Sequence, residues 1–221
     1  MSQFNDKIKT GYDNIADIWF EKREWYIEQP SIDAAIAHLA EGATILDVGC
    51  GSGKPIATYL VEKGFDVYGL DISPRLLKYA ERVISKEKLF QADICDFKTN
   101  LRFDAIVCWF ALFHVHADKH LDILKKFHSF LKPKGILLMT FADTSHPVDG
   151  YHTVIDEYTI ESEMFGERFC HSGRPAAINT FLVQQAGFDI LFDKIDQPNE
   201  KSINFINRMK KVKYSVDDFV T

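Results

Sequence analysis

Apolar positions along the chain change period at several points, and each change marks an element. Over residues 5–40, Ile15, Ile18, Trp19 and Ile27 stand among charged neighbours. After Pro30-Ser31, Ile32, Ala35, Ile36 and Leu39 recur at helical spacing, which predicts helices throughout. At Thr44 the period shifts. Thr44–Val48 reads as a first short buried strand, and a helix from Lys54 to Lys63 follows, stopped by Gly64. Asp66–Leu70 is a second strand. Ser73-Pro74 then opens a helix with a capping hydroxyl and proline at its first position. Leu89–Ala92 and Phe103–Trp109 are the third and fourth strands. A helix begins at Asp118, carries Leu121, Leu124, Phe127 and Phe130 as its apolar positions, and ends at Pro133 and Gly135. Ile136–Phe141 is almost wholly apolar, as suits a strand in the middle of a sheet covered on both faces.

Beyond residue 142 the pattern loosens. Residues 143–158 mix loop signals with an ambiguous segment, Pro175–Ala186 reads as a helix stopped by Gly187, and Phe188–Ile195 and Ser202–Met209 read as closing strands. The two closing strands have a short connection, so they form a hairpin and one edge strand runs antiparallel. Strands separated by helical segments predict an α/β fold: a doubly wound, mainly parallel seven-stranded sheet with an antiparallel edge strand. No repeat or linker divides the chain, so a single domain is expected over residues 1–221. It comprises a helical lid (1–40), a cofactor-binding core (41–142), and a substrate-side insertion with the closing strands (143–221).

The candidate chemistry lies at two strand ends. Ile45-Leu46-Asp47-Val48-Gly49-Cys50-Gly51-Ser52-Gly53 is a buried strand running into a glycine turn, and Val67-Tyr68-Gly69-Leu70-Asp71 is a strand ending on a carboxylate. Glycines let the backbone approach a ligand closely, and an acid at the next strand tip accepts hydrogen bonds from ribose hydroxyls, so a nucleoside-containing cofactor fits. A dinucleotide fingerprint needs glycine at position 54, where Lys54 stands instead. A P-loop is excluded because no G-K-[ST] closes the turn.

Composition narrows the picture further. Hydrophobic residues make up 46% of 221, enough for a substantial core, and 18 are Phe, which serve a core or an aromatic cleft equally well. A formal net charge of −6 argues against the broad basic surface that a large nucleic-acid substrate demands. The basic cluster Arg208-Met209-Lys210-Lys211-Val212-Lys213 reads as a solvated strand exit. Four cysteines (Cys50, Cys95, Cys108, Cys170) show neither C-x-x-C nor metal-ligand spacing, so no metal is expected and a reducing cytosol is the simplest setting. The N-terminus lacks the apolar core of a signal peptide, and the longest apolar run, residues 105–113, is too short to cross a bilayer. A cytoplasmic protein is the expectation.

Further segments fall in a fixed order around the glycine turn: Gln91-Ala92-Asp93-Ile94, Phe103-Asp104-Ala105-Ile106-Val107, and Leu131-Lys132-Pro133-Lys134-Gly135. Together with Asp47, the G-x-G-x-G turn and Asp71, they make the chain resemble the class I S-adenosylmethionine-dependent methyltransferases over roughly residues 10–209. The one departure is Lys134, where the family most often has glycine. The resemblance implies a Rossmann-like methyltransferase fold and S-adenosyl-L-methionine as cofactor. By position it implies that Gly49, Cys50 and Gly51 pack their backbone against the methionine and ribose. Asp47 would orient the loop or reach the methionine amino group, and Asp71 would bind the ribose. Ile72 would lie on the adenine face, with Asp93 and Ile94 at the adenine edge. Loop capping is the competing role for Asp47 and Asp93, and core packing for Ile72 and Ile94.

The acceptor side is read from placement. Ligands in open α/β sheets sit beyond the carboxyl ends of the strands, so Cys108–His116 should border the transferred methyl. Trp109 and Phe110 are candidates to wall the sulfonium, and His114 is the candidate general base; strand core and a structural histidine are the alternatives. The resemblance makes Tyr12–Trp19 a lid helix, with Tyr12 at the methionine carboxylate and Trp19 over the site. Glu163–Ser172 is a second lid candidate, in which Arg168 and His171 would meet the acceptor. Pro-Cys and N-P-P-Y-type sequences are absent, and the scattered cysteines do not suit arsenic chemistry, so those acceptors are disfavoured. The expected activity is methyl transfer to O or N of a small molecule. The alternatives are a transfer RNA acceptor (the Tyr12–Trp25 region with Arg23 resembles some wobble-uridine methyltransferases), a non-catalytic S-adenosylmethionine-binding module, and, third, a nicotinamide-dependent oxidoreductase.

Overall fold

The computed structural model describes residues 2–22, 29–144, 152–196 and 209–216; Arg23 and Trp25 lie outside them. The central sheet takes its strands in the order β3 (Leu89–Gln91), β2 (Asp66–Asp71), β1 (Thr44–Val48), β4 (Phe103–Cys108), β5 (Leu131–Ala142), β10 (Met209–Val216) and β9 (Phe188–Asp196). The first five are parallel, and β10 pairs antiparallel with both β5 and β9. The hairpin of the last two strands is therefore present, but the antiparallel strand lies one place in from the edge, inserted between β5 and β9. Both β2 and β4 flank β1, so the order reverses there and opens a crevice beyond the strand ends.

Two-residue alternation splits the apolar strands between two cores. Leu46, Ile106, Leu137 and Met139 face one side, against Ile123, Leu124 and Phe127 of α5 (His120–Phe130) and Val183 of α6 (Ala176–Gln185). Ile45, Ala105, Val107 and Leu138 face the other, against Ile32 and Ile36 of α2 (Gln29–Ile36) and Ile56 and Leu60 of α3 (Ile56–Glu62). Helices on both faces explain why β4 and β5 carry uninterrupted apolar runs. At the opposite end from the crevice, Asp104 ties the strands' starts together. It accepts from the Thr44 N–H and hydroxyl and from Lys132 Nζ, each at 2.8 Å. Lys134 adopts φ 64, a left-handed turn conformation, at the position where glycine is the common choice. In α4 (Pro74–Ala80) the Ser73 hydroxyl accepts from the Leu76 N–H at 3.1 Å, as its capping sequence predicts.

Two expectations for the second half change. The loosely patterned stretch after residue 142 builds a separate three-stranded antiparallel sheet: β6 (Thr153–Asp156), β7 (Thr159–Met164) and β8 (Glu167–Ser172). All four residues of β6 are exposed, so the burial alternation that betrays a strand is missing from it. The final strand shares only Met209 with Ser202–Met209, whose other residues lie outside the described ones. Val212, Tyr214 and Val216 alternate with Lys213 and Ser215. The basic cluster from Met209 onward is therefore part of a paired strand rather than a strand exit, its strand period masked by lysines.

The N-terminal helix α1 (Ser2–Lys22) packs on α4 and on the small sheet. Ile8, Ile15, Ala16 and Trp19 are buried with Leu76 of α4 and Phe169 of β8. A Cβ at Gly11 would stand 2.8 Å from the Phe169 ring, so only glycine permits this approach. Asp13 accepts from Ser73 Oγ at 2.6 Å, and Arg75 bonds the Asp13 carbonyl at 2.7 Å and the Asp17 carboxylate at 2.8 Å.

Candidate active site

Backbone hydrogen bonds fold the glycine turn back over the end of β2. Gly49 and Cys50 N–H both donate to the Leu70 carbonyl, at 2.7 and 3.1 Å. Asp71 at the tip then accepts from the Gly51 N–H through one carboxylate oxygen and from the Ser73 N–H through the other, each at 2.8 Å. These two bonds fix the carboxylate in place at the strand tip. Gly49 has φ 72, and a Cβ there would come within 2.3 Å of Ala111 Cβ. The turn and the segment after β4 are thus closed on each other to a degree that any side chain would prevent.

This end of the sheet borders a cavity of about 170 Å³. Gly49, Gly51, Asp71, Ile72, Asp93 and Ile94 line one part of it; Trp109, Phe110, His114, Tyr12, Trp19 and His171 line another. Twelve sequence-predicted residues from six separate segments therefore meet in one space. Three do not line it. Asp47 is buried on β1 behind the loop, and Cys50 packs inward with Leu77 and Ala80. Burial, with the charges of Asp71 and Asp47, pushes the Cys50 thiol well up, so it stays protonated. Arg168 is exposed; its guanidinium lies 2.8 Å from Glu161, away from the cavity.

Asp93 does two jobs. One oxygen accepts from the Cys95 N–H at 2.8 Å, a local turn cap, and the other accepts from the Asn5 amide of α1. Lys126 of α5 holds the same loop by donating to the Ile94 and Cys95 carbonyls, at 2.8 and 2.6 Å. Phe110 has φ 54, left-handed and costly for an aromatic residue. Its N–H donates to the buried Thr140 hydroxyl at 2.8 Å, which holds the strand exit in that turn.

At the other side, His114 Nδ1 lies 3.0 Å from the Cys170 carbonyl and Nε2 lies 2.7 Å from the Tyr12 hydroxyl. His171 stacks on Phe113 at 5.3 Å, and burial pushes its pKa down to about 4, so it is neutral near pH 7. Phe113 and Met164, from the two segments expected to border the acceptor, also line the cavity, as do Asn5 and Ile8, which the sequence reading missed. Asn5 and Ile8 precede Tyr12 and Trp19 at a spacing of three, four and seven residues, one face of a helix. That signal was available. Met164 arrives at the end of β7 in the small sheet.

A family model for a methyltransferase domain matches residues 22–191. The chain belongs to the methyltransferase-domain family. YqeM of Bacillus subtilis is 36% identical over 110 residues, covering 46% of this chain and 43% of that protein. A dTDP-3-amino-3,6-dideoxy-alpha-D-glucopyranose N,N-dimethyltransferase of Streptomyces fradiae is 28% identical over 120 residues, covering 53% of this chain and 47% of that one. The chain spans less than half the length of these curated relatives. Among solved structures, the domain superposes on a 1,6-didemethyltoxoflavin-N1-methyltransferase of Burkholderia thailandensis with a TM-score of 0.68 at 19% identity. That match covers 97% of this chain and 87% of the other, which was solved with 1,6-didemethyltoxoflavin and S-adenosylhomocysteine bound. The likeness places this methyltransferase domain in the Rossmann-like fold. Among the described residues, no helix is long and apolar enough to cross a membrane, and no group of His, Cys, Asp and Glu is arranged to hold a metal ion.

Proposed function

We propose that this domain binds S-adenosyl-L-methionine and transfers its methyl group to an oxygen or nitrogen of a small-molecule acceptor in the cytoplasm. The observation that carries the reading is the Asp71 carboxylate, fixed by Gly51 and Ser73 beside a cavity that Gly49 and Gly51 also line. Asp71 would accept from the ribose hydroxyls, and Gly49 and Gly51 would lie against the methionine and ribose. Ile72, Asp93 and Ile94 would enclose the adenine. Asp47 and Cys50 would act from behind the loop by fixing its path. Tyr12 and Trp19 would cover the site, Trp109 would offer its face to the sulfonium, and Phe110 and His171 would face the acceptor.

The cofactor, when bound, supplies an activated methyl and a leaving group that needs no protonation. The domain's own work is alignment and exclusion of water, which a cavity closed by α1 and β8 suits. A proton acceptor is required only where the nucleophile carries a proton, and His114 is the residue for that role. Thermal melts test the reading. S-adenosylmethionine and S-adenosylhomocysteine should each raise the melting temperature, as any ligand does that binds only the folded state. Stabilisation by NAD alone would overturn it.

A further inference from the structure

Two histidines stand side by side in the cavity wall and differ in how they are held. Both ring nitrogens of His114 are engaged, by the Cys170 carbonyl at 3.0 Å and the Tyr12 hydroxyl at 2.7 Å. The imidazole of His171, on β8, makes no hydrogen bond among the described residues, and neither of its nitrogens is sealed within the interior. Its faces are covered instead. Phe113 stacks on it at 5.3 Å and 21°, and the His114 ring stands 5.0 Å away. Its edge remains, in a ring that lines the cavity. Burial pushes its pKa down to about 4, so near neutral pH it carries one N–H donor and one bare nitrogen. An imidazole taken this far out of water without a partner bears a cost, which a hydrogen-bonding ligand would relieve.

The walls of that part of the cavity are apolar. Ile8, Phe110, Phe113 and Met164 line it, and Phe110 meets Trp109 edge to face at 5.6 Å. Flat rings gain contact and quadrupole attraction from such walls, and the unbranched Met164 can adapt to their outline. Among the described lining residues no lysine or arginine occurs, and the two carboxylates, Asp71 and Asp93, belong to the cofactor part. A carboxylate or phosphate on the acceptor would therefore leave water with no opposite charge to meet. It could gain one only by protonating His171, which burial opposes.

We infer that His171 is the specificity-determining residue for the acceptor, taking an uncharged, flat ring whose polar edge hydrogen-bonds to the imidazole. The inference rests on the methyltransferase reading and names the acceptor class that the same site would take. The bare nitrogen accepts from a hydroxyl or ring N–H, or the imidazole N–H donates to a ring carbonyl or nitrogen. Either way the acceptor packs among the aromatic side chains and both partners stay neutral. His171 holds the ring and takes no proton from it.

Three probes of one shape test this in the S-adenosylhomocysteine complex at neutral pH: 2-naphthol, 2-methylnaphthalene and 2-naphthoate. Fluorescence titration of the native protein should rank 2-naphthol tightest, with 2-naphthoate about tenfold weaker or more. His171→Phe keeps a ring on Phe113 but has no ring nitrogen. It should weaken 2-naphthol about three- to tenfold and leave 2-methylnaphthalene unchanged. His171→Gln, which restores a donor and an acceptor, should recover part of the loss. In the native protein, where no variant has to fold, the imidazole nitrogen resonances of His171 should move on adding 2-naphthol and stay in place with 2-methylnaphthalene. An equal loss of both neutral probes in His171→Phe would mark a packing role and overturn the inference. So would 2-naphthoate binding as tightly as 2-naphthol, unmoved His171 resonances, or no binding of 2-naphthol while S-adenosylhomocysteine binds. Failure of S-adenosylhomocysteine to bind at all would instead remove the methyltransferase reading, and this inference with it.

Discussion

The two halves of the cavity are built by different means. The half formed by the ends of β1, β2 and β3 is made of backbone. Its turn is closed by hydrogen bonds to Leu70 and Asp71 within one contiguous stretch of chain, and its specificity lies in where side chains are missing. The half formed by α1, the exit of β4 and the small sheet is made of side chains brought from distant segments: Tyr12, His114 and Cys170 are separated by 102 and 56 residues. A backbone-built site tolerates almost no change but can be recognised anywhere. A side-chain-built site can be re-lined without disturbing the sheet.

The largest effect should come from breaking the backbone half. Gly49→Ala combines a left-handed φ with a 2.3 Å approach to Ala111, a combined cost of about 2–5 kcal/mol. Chemical denaturation should show that loss, and calorimetry should show cofactor affinity falling with it. An unchanged affinity would mean the turn is not the cradle. Gly11→Ala attacks the other half. Its Cβ meets the fully buried Phe169 ring, so about 1–3 kcal/mol of overpacking should loosen α1. Hydrogen exchange should rise in α1 and β8 while β1 and β4 keep their protection. Uniform loosening would contradict the division of the cavity into two halves.

This difference also decides what could be read in advance. Asp71, the glycines and the cap at Ser73 announce themselves because short-range geometry fixes their residue types. The first five strands are legible as short apolar runs between helical segments, whereas their lateral order comes from the structure. Arg168 pairs with the buried Glu161 on the neighbouring strand of the β7–β8 hairpin, a pairing that becomes visible only once the two strands are recognised. The small sheet was missed because all of β6 is exposed, and β10 because its lysines masked its period. The Asn5, Ile8, Tyr12 and Trp19 stripe was legible but was read only in part. What stayed hidden was the pairing of Tyr12 with His114, which exists only once α1 crosses β8.

Acid should sharpen the contrast. Burial holds His120, at the start of α5, neutral with a pKa down at about 4, its Nε2–H donating to the Val115 carbonyl at 2.9 Å. His171 on β8 is shifted the same way. A histidine whose folded pKa lies below its unfolded value costs stability as the pH falls. The loss should begin near the unfolded value of about 6.5 and be complete near about 4. Denaturation midpoints should fall across that window, and His120→Gln should flatten the dependence. A midpoint independent of pH there would contradict the burial. The smallest effect is expected for Arg75→Ala. Its bond to Asp17 is exposed, a setting in which ion pairs contribute little, so the melting temperature should shift by no more than a few degrees.

The most direct test of the central claim is isothermal titration of S-adenosylhomocysteine into the native protein and into Asp71→Asn, which keeps the side chain's size. The account predicts measurable binding to the native protein and an affinity at least tenfold weaker in the variant, from lost hydrogen bonds to a charged acceptor worth about 1.5–3 kcal/mol each. No binding to the native protein, or equal affinity in the two, would contradict it.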